Sequence, residues 1–204
     1  MKRLLIAAAG LLIAAPAVAA TAAATPPGPM PIRGTVAKLE PTQITIRPKT
    51  GGAPVVVDLT PNWSVQVTKA VDVSEIKEGS FIGTSEIPQG DGQGRSLEVH
   101  VFPPGVKMGE GHYAWNLRKG SMMTNGTVGK VTAGAKGREL IVSYSTGERK
   151  ITVPPKVPVV QITNGDRTLV KPGAKVFLVG FPKPGGGQIA GSIAVGEKGA
   201  APPM

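Results

Sequence analysis

The sequence predicts an all-β protein built from two tandem small β-barrel domains that follow a cleaved signal peptide. Three observations support this prediction. Short apolar runs alternate with polar residues along most of the 204-residue chain, several short motifs recur in the same order, and an apolar segment opens the sequence. After that segment, the chain shows no long apolar pattern of helical period.

The first twenty residues have the organisation of a bacterial signal peptide. Lys2 and Arg3 precede the apolar stretch Leu4–Ala15, and Ala17–Ala19 offers the small residues that cleavage requires. The stretch is shorter than the about 20 apolar residues that span a bilayer, and no later segment is apolar and long enough to do so. We therefore expect residues 1–20 to be removed, the mature chain to carry no transmembrane segment, and the protein to lie in the periplasm.

Four motifs recur in the second half of the chain, each 92 to 95 residues after its first occurrence. They pair Gly34–Leu39 with Gly126–Val131, Val65–Val67 with Val160–Ile162, Ile76–Gly79 with Val170–Gly173, and Val99–Val101 with Ile193–Val195. Recurrence in order at a nearly constant spacing indicates an internal duplication. We predict one barrel over 32–103, a connector at 104–123, a second barrel over 124–196, and disordered segments at 21–31 and 197–204.

Within each repeat, apolar residues occupy every second position over short stretches, as in strands that bury one face. In the first repeat these positions are Ile44 and Ile46; Val55, Val57 and Leu59; Trp63, Val65 and Val67; and Leu97, Val99 and Val101. Turn-forming residues separate the stretches, and one short helical turn is expected at Asp72–Lys77. Several short strands in so small a domain favour a closed barrel, which leaves no unpaired edge.

The composition restricts the chemistry that the protein can perform. The chain has no cysteine, two histidines, and 23 basic against 13 acidic residues, for a formal net charge of +10. Thiolate metal sites, cysteine nucleophiles and disulfides are therefore excluded, and the common nucleophile, phosphate-loop and zinc-protease motifs do not occur. The scattered basic residues favour solubility and a weak attraction to anionic envelope polymers. We expect that the protein is not an enzyme.

Most of the chemically distinctive side chains lie in the connector. Four of them carry the thioether or imidazole groups that suit Cu(I) and Ag(I), namely Met108, His112, Met122 and Met123. A second interpretation is an apolar plug that holds the two barrels together, formed by Tyr113, Trp115, Leu117 and Met122. The plug leaves His112 as a polar residue at its rim. Alternation places His112 opposite to Tyr113 and Trp115, which favours the plug, and both interpretations stay open.

The second histidine, His100, falls in the alternating stretch Leu97–Val101. Because Val99 and Val101 occupy the apolar side of that stretch, we expect His100 on the opposite, solvent-facing side. It is therefore a candidate ligand or interface residue.

Two resemblances follow from these residues. The G-T-V-x-K-[LV] motif at Gly34 and Gly126, the [IV]-K-x-G turns, and the closing strands at 97–101 and 193–195 resemble exported bacterial proteins, mostly alphaproteobacterial, with tandem small OB-like β-barrel domains of unknown function. This resemblance covers residues 32–196 and implies OB-like barrels. The connector's residue types are similar to those of the periplasmic copper- and silver-efflux metallochaperone family. That similarity implies a Cu(I) or Ag(I) site in which His112 and connector methionines bind the ion and Trp115 caps it.

Together these features predict a non-enzymatic periplasmic binding or scaffold protein. Its connector would be the contact surface for an unidentified envelope protein or a small ligand. The alternative is a Cu(I)- or Ag(I)-binding protein similar to the metallochaperone, and an envelope enzyme is the third hypothesis. A nucleic-acid partner is not expected, because the chain has few aromatic residues and those in the repeats fall on core positions.

Overall fold

The computed structural model describes residues 28–204. The predicted signal peptide at 1–20 and most of the predicted linker at 21–31 lie outside the described residues. The described chain is all-β, as the alternating pattern predicts. Its helical segments are short turns, and within residues 28–204 no helix is long and apolar enough to cross a membrane.

Twelve strands and three 3-10 turns form the described chain. The strands are β1 (Met30–Leu39), β2 (Gln43–Pro48), β3 (Val55–Ala70), β4 (Phe81–Gly90), β5 (Gln93–Val101), β6 (Gly111–Ala114), β7 (Met122–Gly134), β8 (Gly137–Tyr144), β9 (Gly147–Val153), β10 (Val159–Gly165), β11 (Lys175–Pro182) and β12 (Gln188–Gly196). The 3-10 turns are Val73–Glu75, Arg167–Leu169 and Glu197–Gly199. The first of them lies within the helical turn expected at Asp72–Lys77.

Five strands close a first ring. β1 pairs with β2 and β11, β2 pairs with β3, and β12 completes the ring by pairing with β11 and, in parallel, with β3. Its interior holds an apolar cluster whose fully buried members include Val36, Ile44, Ile46, Val57 and Ile193. Burying one such side chain stabilises the fold by about 1.5–3 kcal/mol, so the closed ring has a core of its own.

Five other strands close a second ring in the same way. β4 pairs with β5 and β7, β8 pairs with β7 and β9, and β9 pairs in parallel with β5. The core of this ring includes Ile76, Ile82, Val99, Leu140 and Ile151. β10 joins the two rings, since it pairs with β3 of the first and with β5 of the second.

Each ring takes strands from both repeats. β1–β3 of the first repeat close with β11 and β12 of the second, whereas β7–β9 of the second repeat close with β4 and β5 of the first. This is not the predicted tandem arrangement, in which 32–103 and 124–196 would each form their own barrel. The physical reason lies in β3, which runs without a break from Val55 to Ala70. It carries the chain past the first ring, so that β4 and β5 enter the second.

The pairing of β3 with β10 relates the two repeats. Val65 lies opposite Gly165 in this antiparallel pair. At the other end of the pair, Ala70 lies opposite Val160. Val65 and Val160 occupy equivalent positions in the repeats, as do Ala70 and Gly165, so the pairing has an approximate two-fold axis. The pairs β4–β7 and β11–β1 are related by the same axis.

The last residues of the chain pack against the rings, so the expectation of a disordered segment at 197–204 is wrong. Glu197–Gly199 form a 3-10 turn, and Met204 is only 4% exposed. A third apolar cluster buries Met204 with Phe81, Phe102, Ile162, Phe177 and Ala194. The segment is ordered because the side chain of Met204 is buried in this apolar cluster. Near the start of the described residues, β1 begins at Met30, inside the range predicted as a linker.

Candidate ligand groove between the rings

A groove of about 1310 Å³ lies between the rings, and we call it the inter-ring groove. Strands of both rings, the connector and Met204 form its walls. Its apolar lining includes Phe102, Trp115, Phe177, Met108, Met123 and Met204. Its polar lining includes Ser64, Gln66, His100, Asn125, Gln188 and Ser192. A mainly apolar concavity with a few polar groups is typical of small-molecule sites.

His100, Gly83 and Asn125 lie side by side on the adjacent strands β5, β4 and β7. Residues directly opposite each other in neighbouring strands project to the same face of a sheet. Because Gly83 has no side chain, the imidazole of His100 and the amide of Asn125 meet above it. A Cβ at position 83 would lie 2.0 Å from His100 Nε2 and 2.3 Å from Asn125 Oδ1. The glycine therefore makes room for this polar pair.

Glu98, two residues before His100 on β5, holds the imidazole in place. Glu98 Oε2 lies 3.1 Å from His100 Nδ1, and Glu98 Oε1 accepts a hydrogen bond from the N–H of Ser85 at 2.8 Å. Nδ1 of the imidazole therefore faces the Glu98 carboxyl group, and Nε2 is directed toward Asn125. His100 is only 5% exposed. The expected solvent-facing position of His100 is therefore wrong, because Phe102 and Asn125 cover this face of β5.

The amide of Asn125 fixes the connector to β7. Its Nδ2 lies 3.2 Å from the main-chain oxygen of Met108, 2.9 Å from that of Gly109 and 3.0 Å from Tyr113 Oη. Its Oδ1 is buried and has no hydrogen-bond partner among the described residues. One unpaired acceptor therefore lies beside His100 at the groove.

Arg33 on β1 lies behind Met204, as seen from the groove. Its guanidinium carbon is 5.7 Å from the ring centroid of Trp115 and 5.2 Å from that of Phe177. Nε donates to the main-chain oxygen of Met204, and Nη1 donates to Asn116 Oδ1 at 2.5 Å. Nη2 is buried and has no partner within residues 28–204. The guanidinium thus lies against both aromatic rings, and one of its donors has no partner in the described chain.

Burial lowers the pKa of Arg33 from its ordinary value, and the charge of Glu98 partly offsets this effect. Arginine titrates so far above neutral pH that the guanidinium stays charged. Beside it, Trp115 Nε1 is also buried without a partner in the described chain. Two unpaired donors therefore adjoin the same side of the groove.

The connector contacts both rings. β6 pairs with β7 of the second ring, while Trp115 packs against Phe177 of the first ring at 6.2 Å between centroids. Asn116 adds a hydrogen bond from Nδ2 to the main-chain oxygen of Pro31 at 3.1 Å. Tyr113 packs on Trp115 edge to face at 6.1 Å. Leu117, also predicted to be in the plug, is half-buried and lies outside the three apolar clusters.

The structure divides the four predicted metal ligands between the groove and the opposite face of the β6–β7 pair. Met108 and Met123 line the groove. His112 projects to the other face, where Nδ1 lies 2.9 Å from Thr124 Oγ1, and Met122 shares that face opposite Ala114. The structure therefore does not bring the four side chains together. Nor does it hold a cluster of three or more His, Asp or Glu side chains within residues 28–204.

His112 instead belongs to a buried ionic cluster in the second ring. Glu86 is 0% exposed, with Oε1 2.6 Å from Arg149 Nε and 3.8 Å from His112 Nδ1. Burial raises the pKa of Glu86, and the positive charge of Arg149 partly opposes this rise. Burial also lowers the pKa of His112, and the charge of Arg149 lowers it further. The Glu86 carboxylate occupies the space over Gly94, where a Cβ would lie 1.9 Å from Oε2.

Sequence reasoning did not select four residues that shape the groove, namely Arg33, Gly83, Glu98 and Asn125. One signal could have found two of them. Arg33 and Asn125 each precede a Gly-Thr-Val motif, so they occupy equivalent positions in the repeats but differ in chemistry. His100 and Ala194 differ in the same way. Differences between otherwise matching copies mark the positions where the two halves of the groove diverge.

Comparison of the chain with protein-family models, with curated proteins and with solved structures found no match. The resemblances to exported tandem-barrel proteins and to the copper- and silver-efflux metallochaperone family therefore stay predictions. Function is inferred from the residues of the inter-ring groove.

Proposed function

We propose that the protein is a non-enzymatic periplasmic binding protein that holds an elongated, mainly apolar small molecule in the inter-ring groove. The observation that carries the proposal is the groove itself. It measures about 1310 Å³ and places Phe102, Trp115 and Phe177 on one continuous surface. Small-molecule sites commonly enclose about 300–1,000 Å³, so this groove has room for such a ligand. The location rests on the signal-peptide features of the first twenty residues.

Unpaired polar atoms in the lining support binding rather than simple packing. Four buried atoms of lining residues lack a partner in the described chain, namely Asn125 Oδ1, Trp115 Nε1, Gln188 Oε1 and Ser192 Oγ. Each buried, unpaired group costs roughly 1–3 kcal/mol. Their presence around one groove favours a site in which a ligand supplies the missing hydrogen bonds.

The connector contributes one wall of this site, through residues from Met108 to Asn116. Asn125 holds that wall by its bonds to Met108 and Gly109. The proposal therefore keeps the connector as the contact surface, with a small ligand as its partner. A soft-metal site of all four predicted ligands is not part of it, because His112 and Met122 project away from the groove.

The neutral fluorescent dye N-phenylnaphthylamine tests the proposal. Full-length protein should bind the dye saturably, with the rise in emission that apolar surroundings cause. Gln66→Trp places a large side chain in the groove and should abolish most of this binding. Gln161→Trp is the matched control, since Gln161 occupies the equivalent position on β10 but does not line the groove. Equal dye binding by both variants, or none by the wild type, would contradict the proposal.

A further inference from the structure

We infer that the inter-ring groove binds a single-chain fatty acid, whose carboxylate replaces the main-chain oxygen of Met204 on Arg33 and whose chain lies along Phe102 and Phe177. This inference rests on the proposed function and names its ligand class. It follows from the donors around Arg33, from the shape of Met204, and from the charge at that position.

The unpaired side-chain atoms of Arg33 and Trp115, two residues that lie against each other, are donors. Arg33 Nε donates to the main-chain oxygen of Met204, and Arg33 Nη2 and Trp115 Nε1 are buried without partners among residues 28–204. Guanidinium and indole N–H groups donate and cannot accept. The missing partner is therefore an acceptor with more than one lone pair, and a carboxylate next to a guanidinium meets that need with charge-assisted hydrogen bonds.

Met204 shows which shape the adjoining apolar space accepts. Its unbranched side chain is 4% exposed and lies in the cluster that contains Phe102, Ile162 and Phe177. A linear alkyl chain has the same width as this side chain and the same lack of branching. Met204 thus places an oxygen acceptor on Arg33 and an unbranched apolar chain among aromatic rings, which is the arrangement of a fatty acid head and tail.

The charge at the site favours a monoanion. Arg33 supplies one positive charge, which the nearby charge of Glu98 stabilises. A carboxylate would pair with the guanidinium, whereas a dianionic phosphate would add two negative charges beside that of Glu98 in a poorly solvated place. A quaternary ammonium group would lie against the guanidinium and be repelled.

Calorimetric titration of the full-length protein with three ligands of equal chain length tests the inference. They are decanoate, decanol and decyltrimethylammonium. Decanoate should bind at least about tenfold more tightly than decanol, because a hydrogen bond to a charged group contributes roughly 1.5–3 kcal/mol. Arg33→Gln should remove this preference, so that the variant binds decanoate and decanol equally. Arg167→Gln is the matched control, since Arg167 also lies over a tryptophan, 4.5 Å from the Trp63 ring, but donates to the main-chain oxygen of Trp63 instead of that of Met204.

The outcomes separate the inference from the proposed function. If decanoate and decanol bind equally to the wild type, or if Arg33→Gln keeps the preference for decanoate, the fatty-acid inference is wrong and the binding function stands. If none of the three ligands binds, both fail. If Arg33→Gln does not fold, the wild-type preference and Met204→Ala decide. Met204→Ala should bind decanoate more tightly, because the ligand no longer displaces a buried side chain, and unchanged or weaker binding would overturn the displacement.

Discussion

The imidazole of His100 on β5 lies directly over Gly83, the residue opposite it on β4. A Cβ at position 83 would be 2.0 Å from His100 Nε2. The amide oxygen of Asn125 approaches the same point from β7. Three strands of the second ring thus meet at one residue without a side chain. The polar pair at the groove depends on that glycine.

Gly83→Ala should therefore destabilise the protein. The added methyl group must displace His100, Asn125 or the strand itself, and overpacking of this kind costs about 1–3 kcal/mol. Gly129→Ala is the control, because a Cβ there meets its nearest atom at an ordinary 3.8 Å. Chemical denaturation of both variants measures the difference. Equal free energies of unfolding for the two variants would show that His100 and Asn125 can move aside without a loss of stability.

Trp115→Ala should loosen the connector and lower the free energy of unfolding by about 2 kcal/mol. Truncating a fully buried tryptophan costs roughly 3–5 kcal/mol, and the smaller loss is expected because Trp115 is half-buried. The loss comes from its contacts with Phe177, Arg33 and Tyr113. Leu117→Ala, in the same connector but outside the apolar clusters, should cost less than about 1 kcal/mol. Thermal unfolding compares the two variants, and a larger effect at Leu117 would reverse their assigned roles.

The exchange of strands between repeats predicts how the chain behaves when it is cut. Fragments 28–104 and 105–204 each hold strands of both rings and complete neither. Each alone should be unfolded or should self-associate, and an equimolar mixture should recover the β-sheet spectrum of the intact protein. Circular dichroism and size-exclusion chromatography check this. If either fragment alone forms a folded monomer, the exchange of strands between the rings is contradicted.

Glu86 should make stability depend on pH. Its pKa is raised by burial in the folded state, so the native state binds the proton more tightly than the unfolded chain. This contribution to stability is fully present below the ordinary glutamate pKa and is lost as pH rises through the folded value. The free energy of unfolding of the wild type should therefore fall, relative to that of Glu86→Gln, as pH rises from acidic toward neutral. If the difference in free energy of unfolding between the two proteins does not change with pH, the Glu86 carboxyl group is solvated and its pKa is not raised.

The position of most strands could be predicted from alternation, because a strand that buries one face repeats every two residues whatever its partner is. Which strands close which ring could not. Val65 and Val160 have the same local pattern, and only their long-range pairing decides that β3 passes from one ring toward the other. In the connector, alternation correctly placed His112 and Tyr113 on opposite faces of the strand. It misplaced His100, because the side of β5 away from the ring core is covered by Phe102 and Asn125 instead of water.

The approximate two-fold axis through β3 and β10 has a consequence for ligands. Two identical subunits around such an axis would present the same groups at both ends of a central groove. In this chain the equivalent positions hold His100 and Ala194, and Asn125 and Arg33, so the two ends of the groove differ in chemistry. The groove therefore has a direction. If the groove binds a small molecule as proposed, we expect a molecule with different ends to bind in one orientation.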